Sequence, residues 1–452
     1  MHLLIIGGSD AGISAALRAQ ELEPDTQITL LLADDYPNFS ICGLPYYLSG
    51  ETPDWRKLAH RTEFLGIRIL RQHRAVSIDV RNKSVLVEHA GTGQSVRYDR
   101  LIIATGAIPI RPDLPGCNLD GVFLLHTMED SFAIQNHITE ARPRSAVIIG
   151  AGYIGLEMAE ALTKRGVAVT VLCRPETVLP TVDSNLGNSV GEELRQHGVC
   201  LLTGVSALRI EPYSGPDSRS RLVVIDSKAN HHVADMVIAA VGVRPASDLA
   251  QRAGAHLGEQ GAIAVTHRME TSLPDVFAAG DCVETYHRLL KQSTYISLGT
   301  IAHKQGRVAG ENAVGGAREF AGVLGTQCLK VFDLAVARTG LLDHEADAAG
   351  FAPLSVQTEA DDHKAYYPGA VTLQVRITGD RQTGRLLGTQ ILGNRKAEIA
   401  KRIDTVAAAL FQGLSVEQLN DIDLSYSPPF SSPWDPLQTA AQSWAFTRRQ
   451  CQ

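Results

Sequence analysis

Residues 145–162, SAVIIGAGYIGLEMAEAL, and residues 167–175, VAVTVLCRP, contain the pattern that decides the fold. They read as a short apolar strand, a glycine-rich turn, a helix rich in alanine and leucine, and a second apolar strand. The same plan occurs in residues 2–22, HLLIIGGSDAGISAALRAQEL, and 27–35, QITLLLADD. Each copy is typical of a doubly wound parallel sheet, so we expect an α/β fold with two Rossmann-like dinucleotide-binding domains.

The segments outside this repeat complete the domain plan. Residues 76–105 and 222–241 contain alternating or apolar runs, which predict further strands for the first and second domains. From residue 326 onward the chain has antiparallel strand patterns and an amphipathic helix, residues 396–414, without a glycine fingerprint. This indicates a third, α+β domain with an interface role. The expected boundaries are 1–118 together with 245–325, then 119–244, then 326–452.

Composition limits the classes of partner. The chain has 452 residues, 44% hydrophobic and 20% charged, and a formal net charge of -7. No basic excess indicates nucleic acid or an anionic membrane, so an anionic ligand needs local basic groups. The start, MHLLIIGG, has no basic region and a short apolar run, which favours a cytoplasmic protein. The seven cysteines have no CxxC or metal-ligand spacing, so we expect neither a disulfide framework nor a metal site.

Two glycine turns are the candidate dinucleotide sites. Gly150, Gly152 and Gly155 form a complete GxGxxG between a strand and a helix, which places a pyrophosphate at the helix N-terminus. A simple glycine turn is the alternative. The first turn is a looser match, because serine stands at the usual place of the middle glycine. Its candidate residues are Gly7, Gly8, Ser9 and Gly12.

The acid that usually binds the ribose is missing from both units. Leu32 stands at its place in the first unit and Cys173 in the second. Asp34 or Asp35 is the candidate replacement in the first unit. Arg174 follows Cys173, and a missing carboxylate beside an arginine favours a 2'-phosphate, although a solvated loop residue is an equal alternative.

Four further segments carry a family resemblance: LIIATGAIPIRPDLPG at 101–116, AAVGVRPASDLA at 239–250, TSLPDVFAAGDC at 271–282 and IAHKQGRVAGENAVGG at 301–316. With the two glycine turns, they make the chain similar to the pyridine nucleotide-disulfide oxidoreductase superfamily over nearly its whole length. Within it, the chain resembles the branch of coenzyme A disulfide reductases, NADH oxidases and NADH peroxidases.

The resemblance implies cofactors and site residues. FAD would lie in the first domain, NADPH or NADH in the second, and the third domain would form a homodimer. Asp281 would bind the ribityl chain, Glu157 would contact the nicotinamide, and Tyr153 would cover its pocket. Thr105, Gly106 and Gly242 are further cofactor-binding candidates. A surface glutamate and a packed tyrosine are the ordinary alternatives at 157 and 153.

The segment NFSICGLPYYLSG, residues 38–50, resembles this branch's active-site segment, which has a single cysteine, here Cys42. A thiol attacks as thiolate, and a helix start or a neighbouring flavin would lower its pKa. Since no second cysteine is near, the second sulfur must come from outside, and a mixed disulfide or persulfide is expected. Coenzyme A is the partner that the resemblance implies, and a small buried cysteine is the alternative.

Three features place the chain within the branch. The oxidases and peroxidases carry a histidine where this chain has Asp10, whose ordinary role is at a helix start. The tail SYSPPFSSPWDPLQTAAQSW, residues 425–444, resembles that of the disulfide reductases. In that group a tyrosine in the tail and one in an upstream YYP segment reach the partner's cysteine. Tyr426 matches the first, and Tyr367 or its neighbour Tyr366 matches the second. The third feature is a set of basic residues in coenzyme A-binding places: Arg18, Arg61, His303, Lys304 and Arg307.

The sequence therefore predicts an FAD-dependent NAD(P)H oxidoreductase that reduces coenzyme A disulfide, or a persulfide or polysulfide, through Cys42. Two alternatives stay open at this point. One is an NAD(P)H oxidase or peroxidase in which Cys42 cycles through a sulfenic acid. The other is a slow flavoprotein redox sensor.

Overall fold

The computed structural model describes residues 1–213, 215 and 221–451. The elements of the first 140 residues are, in chain order, β1 (His2–Ile6), α1 (Asp10–Leu22), β2 (Gln27–Leu31), α2 (Leu44–Ser49), β3 (Ile67–Leu70), β4 (Arg74–Asp79), β5 (Ser84–His89), β6 (Thr92–Arg97), β7 (Arg100–Ile103), β8 (Ala107–Pro109), β9 (Val122–Phe123) and α3 (Met128–Glu140). The next elements are β10 (Ser145–Ile149), α4 (Tyr153–Lys164), β11 (Ala168–Cys173), α5 (Ser184–Gln196), β12 (Cys200–Thr203), β13 (Ala207–Pro212), β14 (Leu222–Asp226), β15 (His231–Ala234), β16 (Met236–Ala239), β17 (Val243–Pro245) and α6 (Asp248–Arg252).

The remaining elements run to the C-terminus. They are β18 (Val276–Ala278), β19 (Thr285–His287), β20 (Gln292–Thr294), α7 (Gly299–Ala313), β21 (Gln327–Val331), β22 (Leu334–Gly340), α8 (Asp343–Ala348), β23 (Pro353–Asp361), β24 (Thr372–Asp380), β25 (Leu386–Asn394), α9 (Ile399–Gln412), α10 (Val416–Asn420) and α11 (Pro436–Gln450).

The first domain is built on a parallel sheet of order β18-β7-β1-β2-β3. Its edge strand β18 comes from the chain after the second domain, so the first domain uses two chain segments. Helices α1 and α7 pack together closely because glycines on α7 allow it. A Cβ atom on Gly306 or Gly310 would overlap the carbonyl oxygen of Ala11 or Ala15. Strands β4, β5 and β6 form a separate antiparallel sheet.

The second domain repeats this plan with a parallel sheet of order β12-β11-β10-β16-β9. Its inner strands are continuous apolar runs because both faces of such a sheet are covered. An antiparallel sheet of β13, β14 and β15 adjoins it. The short strands β8 and β17 pair antiparallel where the chain passes between the first two domains.

The third domain contains an antiparallel sheet of order β21-β22-β25-β24-β23. Helices α9 and α11 pack on it, and Trp444 of α11 is fully buried with its indole N–H donating to the Leu354 carbonyl oxygen at 2.7 Å. The predicted fold class, two Rossmann-like domains plus an α+β domain, is confirmed. The exact domain boundaries stay a prediction. No helix among the described residues is long and apolar enough to cross a membrane.

Candidate active site

The outer glycines of both turns are required by the fold itself. Gly7 and Gly150 have φ of +114° and +110°, the region that favours glycine. A Cβ on Gly7 would overlap the Ala104 carbonyl oxygen, and one on Gly150 would overlap that of Ala240. Equally, a Cβ on Gly155 would overlap the Gly150 carbonyl oxygen, so helix α4 can begin this close to its strand only with glycine there. Gly12 has the same relation to Gly7.

The middle position of the second turn is different. Gly152 has an extended backbone, φ −83° and ψ −167°, and a Cβ there would meet no atom within 4 Å. This open space lies at the N-terminus of α4, where unpaired N–H groups and the helix dipole favour an anion. In the first turn, Ser9 is exposed at the matching N-cap of α1 and its side chain makes no capping hydrogen bond. Both turns therefore fit a dinucleotide pyrophosphate.

The first ribose position is apolar, as the sequence indicates. Leu32 is 7% exposed, and its side chain packs so close to Gly8 that a Cβ there would lie 3.0 Å from Leu32 Cδ1. Asp34 accepts a hydrogen bond from the Tyr36 backbone N–H at 2.8 Å, and burial raises the Asp34 pKa. Asp35 accepts one from the Gln72 side chain at 2.5 Å. Both acids have partners within the protein, so the role of Asp34 at the ribose stays a prediction.

The second ribose position has no acid either. Cys173 is 1% exposed, and its thiol points to the Thr177 carbonyl oxygen at 3.5 Å. Burial raises the Cys173 pKa to about 11, so the thiol is neutral near pH 7. Arg174, the next residue, is exposed. A cation is thus available at the end of β11, where a carboxylate would stand in an NADH-selective site.

Three further predicted residues lie at the crossing between the first two domains. The Thr105 hydroxyl donates to the Ala246 carbonyl oxygen at 2.7 Å, and the Ala246 N–H donates to the Gly106 carbonyl oxygen at 2.9 Å. Gly242 accepts from the Ile110 N–H at 2.9 Å. Gly106 has φ +72° and faces open space, because a Cβ there would meet no atom within 4 Å. These contacts hold the crossing in place and leave the Gly106 face free for a ligand.

Asp281 follows β18 and is half-buried. Burial, and after it the charge of Asp10, raise the Asp281 pKa to about 6. The Tyr295 hydroxyl donates to the Asp281 backbone carbonyl oxygen at 2.9 Å, which fixes the segment. A carboxyl group on a backbone segment held in this way, at the end of a parallel strand and beside the first glycine turn, fits a role in binding the hydroxyls of a flavin side chain.

Cys42 lies in a short 3-10 turn, Ile41–Gly43, directly before α2. Its side chain is exposed and free, although protein surrounds much of it. Burial first, and then the charges of Asp10, Glu157 and Asp281, raise the Cys42 pKa. The expected lowering by a helix start is therefore wrong for the protein alone. Helix α2 spans only Leu44–Ser49, and burial of the thiol is the largest cause that disfavours the thiolate.

The same finding shows what the fold brings together. Asp10 belongs to α1, Glu157 to α4 and Asp281 to the segment after β18, yet all three act electrostatically on Cys42. Asp281, predicted to bind the flavin, and Glu157, predicted to contact the nicotinamide, therefore both lie close enough to Cys42 to influence its charge. In the chain alone the surroundings of Cys42 disfavour the thiolate, so a neighbouring flavin remains the predicted cause of a lowered pKa.

The nicotinamide side of the site contains residues that the sequence reasoning missed. Glu157 is half-buried, and burial raises its pKa to about 7. The Tyr46 hydroxyl donates to Glu157 Oε1 at 3.2 Å. The Tyr153 hydroxyl donates to Gln327 Oε1 of β21 at 2.8 Å, so the third domain holds the residue that was predicted to cover the pocket. Tyr46 could have been noticed, because it lies four residues after Cys42 in the recognised segment.

The basic residues predicted to bind coenzyme A differ in their exposure and in how strongly they are paired with acidic side chains. Arg18 is paired with Glu311 at 2.6 Å and with Glu21 at 2.9 Å, so its charge is largely used within the protein. On α7, Lys304 is exposed, and Arg307 is 46% exposed with only a 3.5 Å contact to Glu21. His303 lies beside α1, 2.7 Å from the Ser14 hydroxyl and 3.5 Å from Asp10. Arg61 lies on a separate loop, its guanidinium over the Phe64 ring at 4.8 Å and its Nε donating to the Glu63 carbonyl oxygen at 2.9 Å.

The predicted tyrosines lie in two neighbouring segments of the third domain. The Lys364 N–H donates to the Pro428 carbonyl oxygen at 3.3 Å, which joins the segments of Tyr367 and Tyr426. Both rings are exposed, by 42% and 46%, and Tyr366 by 73%. None of the contacts found within the described chain joins these rings to Cys42. Phe430 and Trp434 of the same domain are also exposed, by 74% and 56%.

This fold and site define a two-dinucleotide oxidoreductase with one cysteine at the junction of the cofactor sites. The chain belongs to the pyridine nucleotide-disulphide oxidoreductase family, whose model matches residues 1–306, and its dimerisation domain matches residues 326–436. FAD and NAD(P)H are its cofactors. When bound, they supply the two-electron chemistry, and the residues predicted to hold them are those of the glycine turns, Asp281 and Glu157.

Individual proteins support the same branch. An NAD(P)H sulfur oxidoreductase (CoA-dependent) from Pyrococcus furiosus is 37% identical over 98% of this chain and 99% of its own. The NAD-dependent persulfide reductase of A. fulgidus has a TM-score of 0.94 and 35% identity, over 100% of this chain and 84% of its own. An engineered water-forming NADPH oxidase bound to NADPH, derived from the water-forming NADH oxidase of Lactobacillus brevis, has a TM-score of 0.94 and 27% identity over 100% of both chains. The predicted family resemblance is confirmed.

Proposed function

We propose that the protein is an NAD(P)H-dependent reductase of coenzyme A disulfide, or of coenzyme A persulfide or polysulfide, and that Cys42 is its redox-active sulfur. The observation that carries this is the position of Cys42, free and exposed where Asp10, Glu157 and Asp281 meet. The coenzyme A-dependent sulfur oxidoreductase and the persulfide reductase support the substrate class. All seven cysteines are free, which also supports a cytoplasmic location.

The chemistry of the disulfide follows from a single cysteine. The Cys42 thiolate attacks one sulfur of the substrate, forms a mixed disulfide and releases one coenzyme A thiolate. Two electrons from NAD(P)H then break the mixed disulfide and restore the Cys42 thiolate with a second coenzyme A thiolate. One proton from solvent and the one released by NAD(P)H balance the two thiol products. A neutral bound sulfur suits Cys42, since the nearby carboxylates disfavour an additional negative charge.

The decisive test is Cys42→Ser. We expect loss of coenzyme A disulfide reduction, because a serine hydroxyl is a far poorer nucleophile near pH 7, with flavin reduction by NADPH retained. Anaerobic titration should also show that the wild type takes up electrons beyond those held by the flavin and that the variant does not. Undiminished disulfide reduction by Cys42→Ser would contradict the proposal. A sensor would turn over slowly with every acceptor.

We propose a homodimer with a shared active site, in which Tyr367 and Tyr426 reach the partner's Cys42. Their exposure on the third domain, and the match of its dimerisation family, support this. Phenolic hydroxyls can donate a proton to a leaving thiolate. Heterodimers of Cys42→Ser chains with Tyr367→Phe/Tyr426→Phe chains would contain one intact site. Activity above both parents is expected, and its absence after proven subunit exchange would contradict sharing.

NADPH is the proposed preferred donor. The neutral, buried Cys173 followed by the exposed Arg174 leaves a cation and no acid at the end of β11. The engineered NADPH oxidase includes a similar pair of changes, an aspartate to alanine and, in the next position, an alanine to arginine. Such a pair removes repulsion of a 2'-phosphate and adds a hydrogen-bonding partner for it.

An oxidase or peroxidase is the second candidate, and one contact favours it. His303 Nε2 lies 3.5 Å from Asp10, so an imidazole is present near the place where the oxidases carry a histidine. The same imidazole serves equally well as a phosphate ligand for coenzyme A. Turnover with oxygen, hydrogen peroxide and coenzyme A disulfide, compared at equal enzyme concentration, separates the two functions. His303→Gln should lower peroxide turnover in the first case and raise the KM for coenzyme A disulfide in the second.

A further inference from the structure

A charged cluster joins all three domains directly behind Glu157. Glu160 of α4 is 3% exposed, yet its carboxylate is fully engaged. It pairs with Lys330 Nζ of β21 and with Lys164 Nζ at 2.7 Å, and it accepts the Phe332 N–H at 2.8 Å. Lys164 also reaches Glu51, which follows α2, at 2.7 Å. Glu160 is buried and satisfied within this network, whereas Glu51 and Lys164 are partly exposed, and the ion pairs tie α2, α4 and β21 together.

Tyr46 stands between this cluster and Glu157. Lys330 Nζ lies 5.4 Å from the centroid of the Tyr46 ring, a cation–π contact that fixes the ring. Burial and the neighbouring carboxylates raise the Tyr46 pKa, so its hydroxyl remains a donor near pH 7. That hydroxyl donates to Glu157 Oε1 at 3.2 Å. Pro45, Ser49 and Ala161 complete the lining of a small cavity beside the pair.

We propose that Tyr46 is a positioning residue for hydride transfer: its hydroxyl holds the Glu157 carboxyl group toward the nicotinamide, and the cluster of Glu51, Glu160, Lys164 and Lys330 holds Tyr46. The proposal rests on the nicotinamide role of Glu157 and does not depend on which sulfur compound is reduced. One oxygen of Glu157 is bound by the phenol, which leaves the other to the ligand. Loss of this bond would free the carboxyl group to rotate.

The pKa of Glu157 can distinguish a positioning role of Tyr46 from a purely structural one, because a loss of packing alone would not shift that pKa. The groups that face Glu157 are Tyr153 and Glu160 on α4, Tyr46 on α2, Cys42 in the preceding turn and Lys330 on β21. Burial raises the Glu157 pKa most; the Tyr46 hydrogen bond lowers it, Glu160 raises it and Lys330 lowers it. Removal of the phenol must therefore shift the titration of Glu157 to higher pH.

The test is Tyr46→Phe, with Tyr47→Phe as the matched control. Tyr47 packs edge-on against Phe132 at 6.4 Å and has no place in the site. Anaerobic stopped-flow reduction of the flavin by NADPH, followed from pH 5.5 to 9, requires no sulfur acceptor. We expect Tyr46→Phe to reduce its flavin about tenfold more slowly, the effect of one lost hydrogen bond to a charged group. Its pH profile should shift upward, and the control should match the wild type.

Glu157→Gln completes the experiment. If Tyr46 acts through Glu157, the double variant should reduce its flavin about as slowly as Glu157→Gln alone. The proposal would be overturned if the double variant lost rate by the product of the two single-variant factors. It would also be overturned if the pH profile of Tyr46→Phe were identical to that of the wild type. These outcomes are separate from the proposed function, because Cys42→Ser tests the sulfur chemistry in the other half-reaction.

Discussion

Gly152→Ala should weaken nicotinamide nucleotide binding without destabilising the protein. The backbone of Gly152 is extended, a conformation that alanine adopts freely, and its Cβ would meet no protein atom within 4 Å. The free energy of unfolding should therefore be unchanged or higher by up to about 1 kcal/mol. The methyl group would instead stand where the pyrophosphate approaches the turn. Overlap of this kind costs about 1–3 kcal/mol, which is about a 5- to 150-fold higher Kd for NADPH.

Gly155→Ala is the matched control for this prediction, because it adds the same methyl group three residues later. There the Cβ would overlap the Gly150 carbonyl oxygen, which is backbone and cannot move aside. This variant should lose more than about 1 kcal/mol of unfolding free energy. The two alanine variants therefore separate a glycine needed for the ligand from one needed for the fold.

The assay is the dependence of the flavin reduction rate on NADPH concentration, measured by stopped flow, together with denaturant unfolding of each variant. The expected result for Gly152→Ala is a higher Kd, full flavin content and a wild-type unfolding midpoint. An unchanged Kd would refute the assignment of this turn as the nicotinamide dinucleotide site. A large loss of stability in Gly152→Ala would refute the inference that the protein has room for a Cβ at this position.

Three further predictions follow from individual side chains. Arg174→Ala should raise the Kd for NADPH and leave that for NADH unchanged; equal effects would show that Arg174 does not bind the 2'-phosphate. Asp281→Asn should stabilise the flavin-free protein at pH 7, by at most about 3 kcal/mol, because its raised pKa means that folding disfavours the charged form. In unfolding experiments, the gain in stability of Asp281→Asn over the wild type should appear as the pH rises above about 4 and should vanish at lower pH. Flavin should dissociate faster from the variant than from the wild type. Arg18→Ala should lower stability and leave the KM for coenzyme A disulfide unchanged, because Arg18 is paired with Glu311. Lys304→Ala should raise that KM, because Lys304 is exposed. A raised KM in Arg18→Ala and an unchanged KM in Lys304→Ala would instead assign Arg18 to the substrate site.

Much of the fold could be predicted because its signals are local. A glycine is needed where a strand, a turn and a helix start pack closely together. At Gly7 and Gly150 a Cβ would overlap a backbone carbonyl oxygen, which explains why both positions are glycine. Apolar runs identified the strands for the same reason, since burial acts on each residue of a strand. The segment around Cys42 was recognised as a contiguous motif, and the structure places it beside the residues of both cofactor turns.

The electrostatics of the site could not be predicted in this way. Cys42 was expected to have a pKa lowered by a helix start or a neighbouring flavin, and in the chain alone burial and nearby carboxylates raise it. The charge of Arg18 was assigned to a ligand, while its partner Glu311 lies 293 positions away. Such effects are sums over groups that the chain brings together only after folding, so no local pattern contains them.

The sequence by itself indicated the class of fold, the two candidate dinucleotide turns and the candidate redox cysteine, because each signal lies in residues close together in the chain. Tertiary structure alone decided which charges surround Cys42 and how Glu157 is held. The Tyr46 hydroxyl reaches Glu157 across 111 positions of sequence, and Lys330 arrives from the third domain. Hydrogen bonds and ion pairs of this range depend on distances of a few ångströms, which only the packing of the three domains sets.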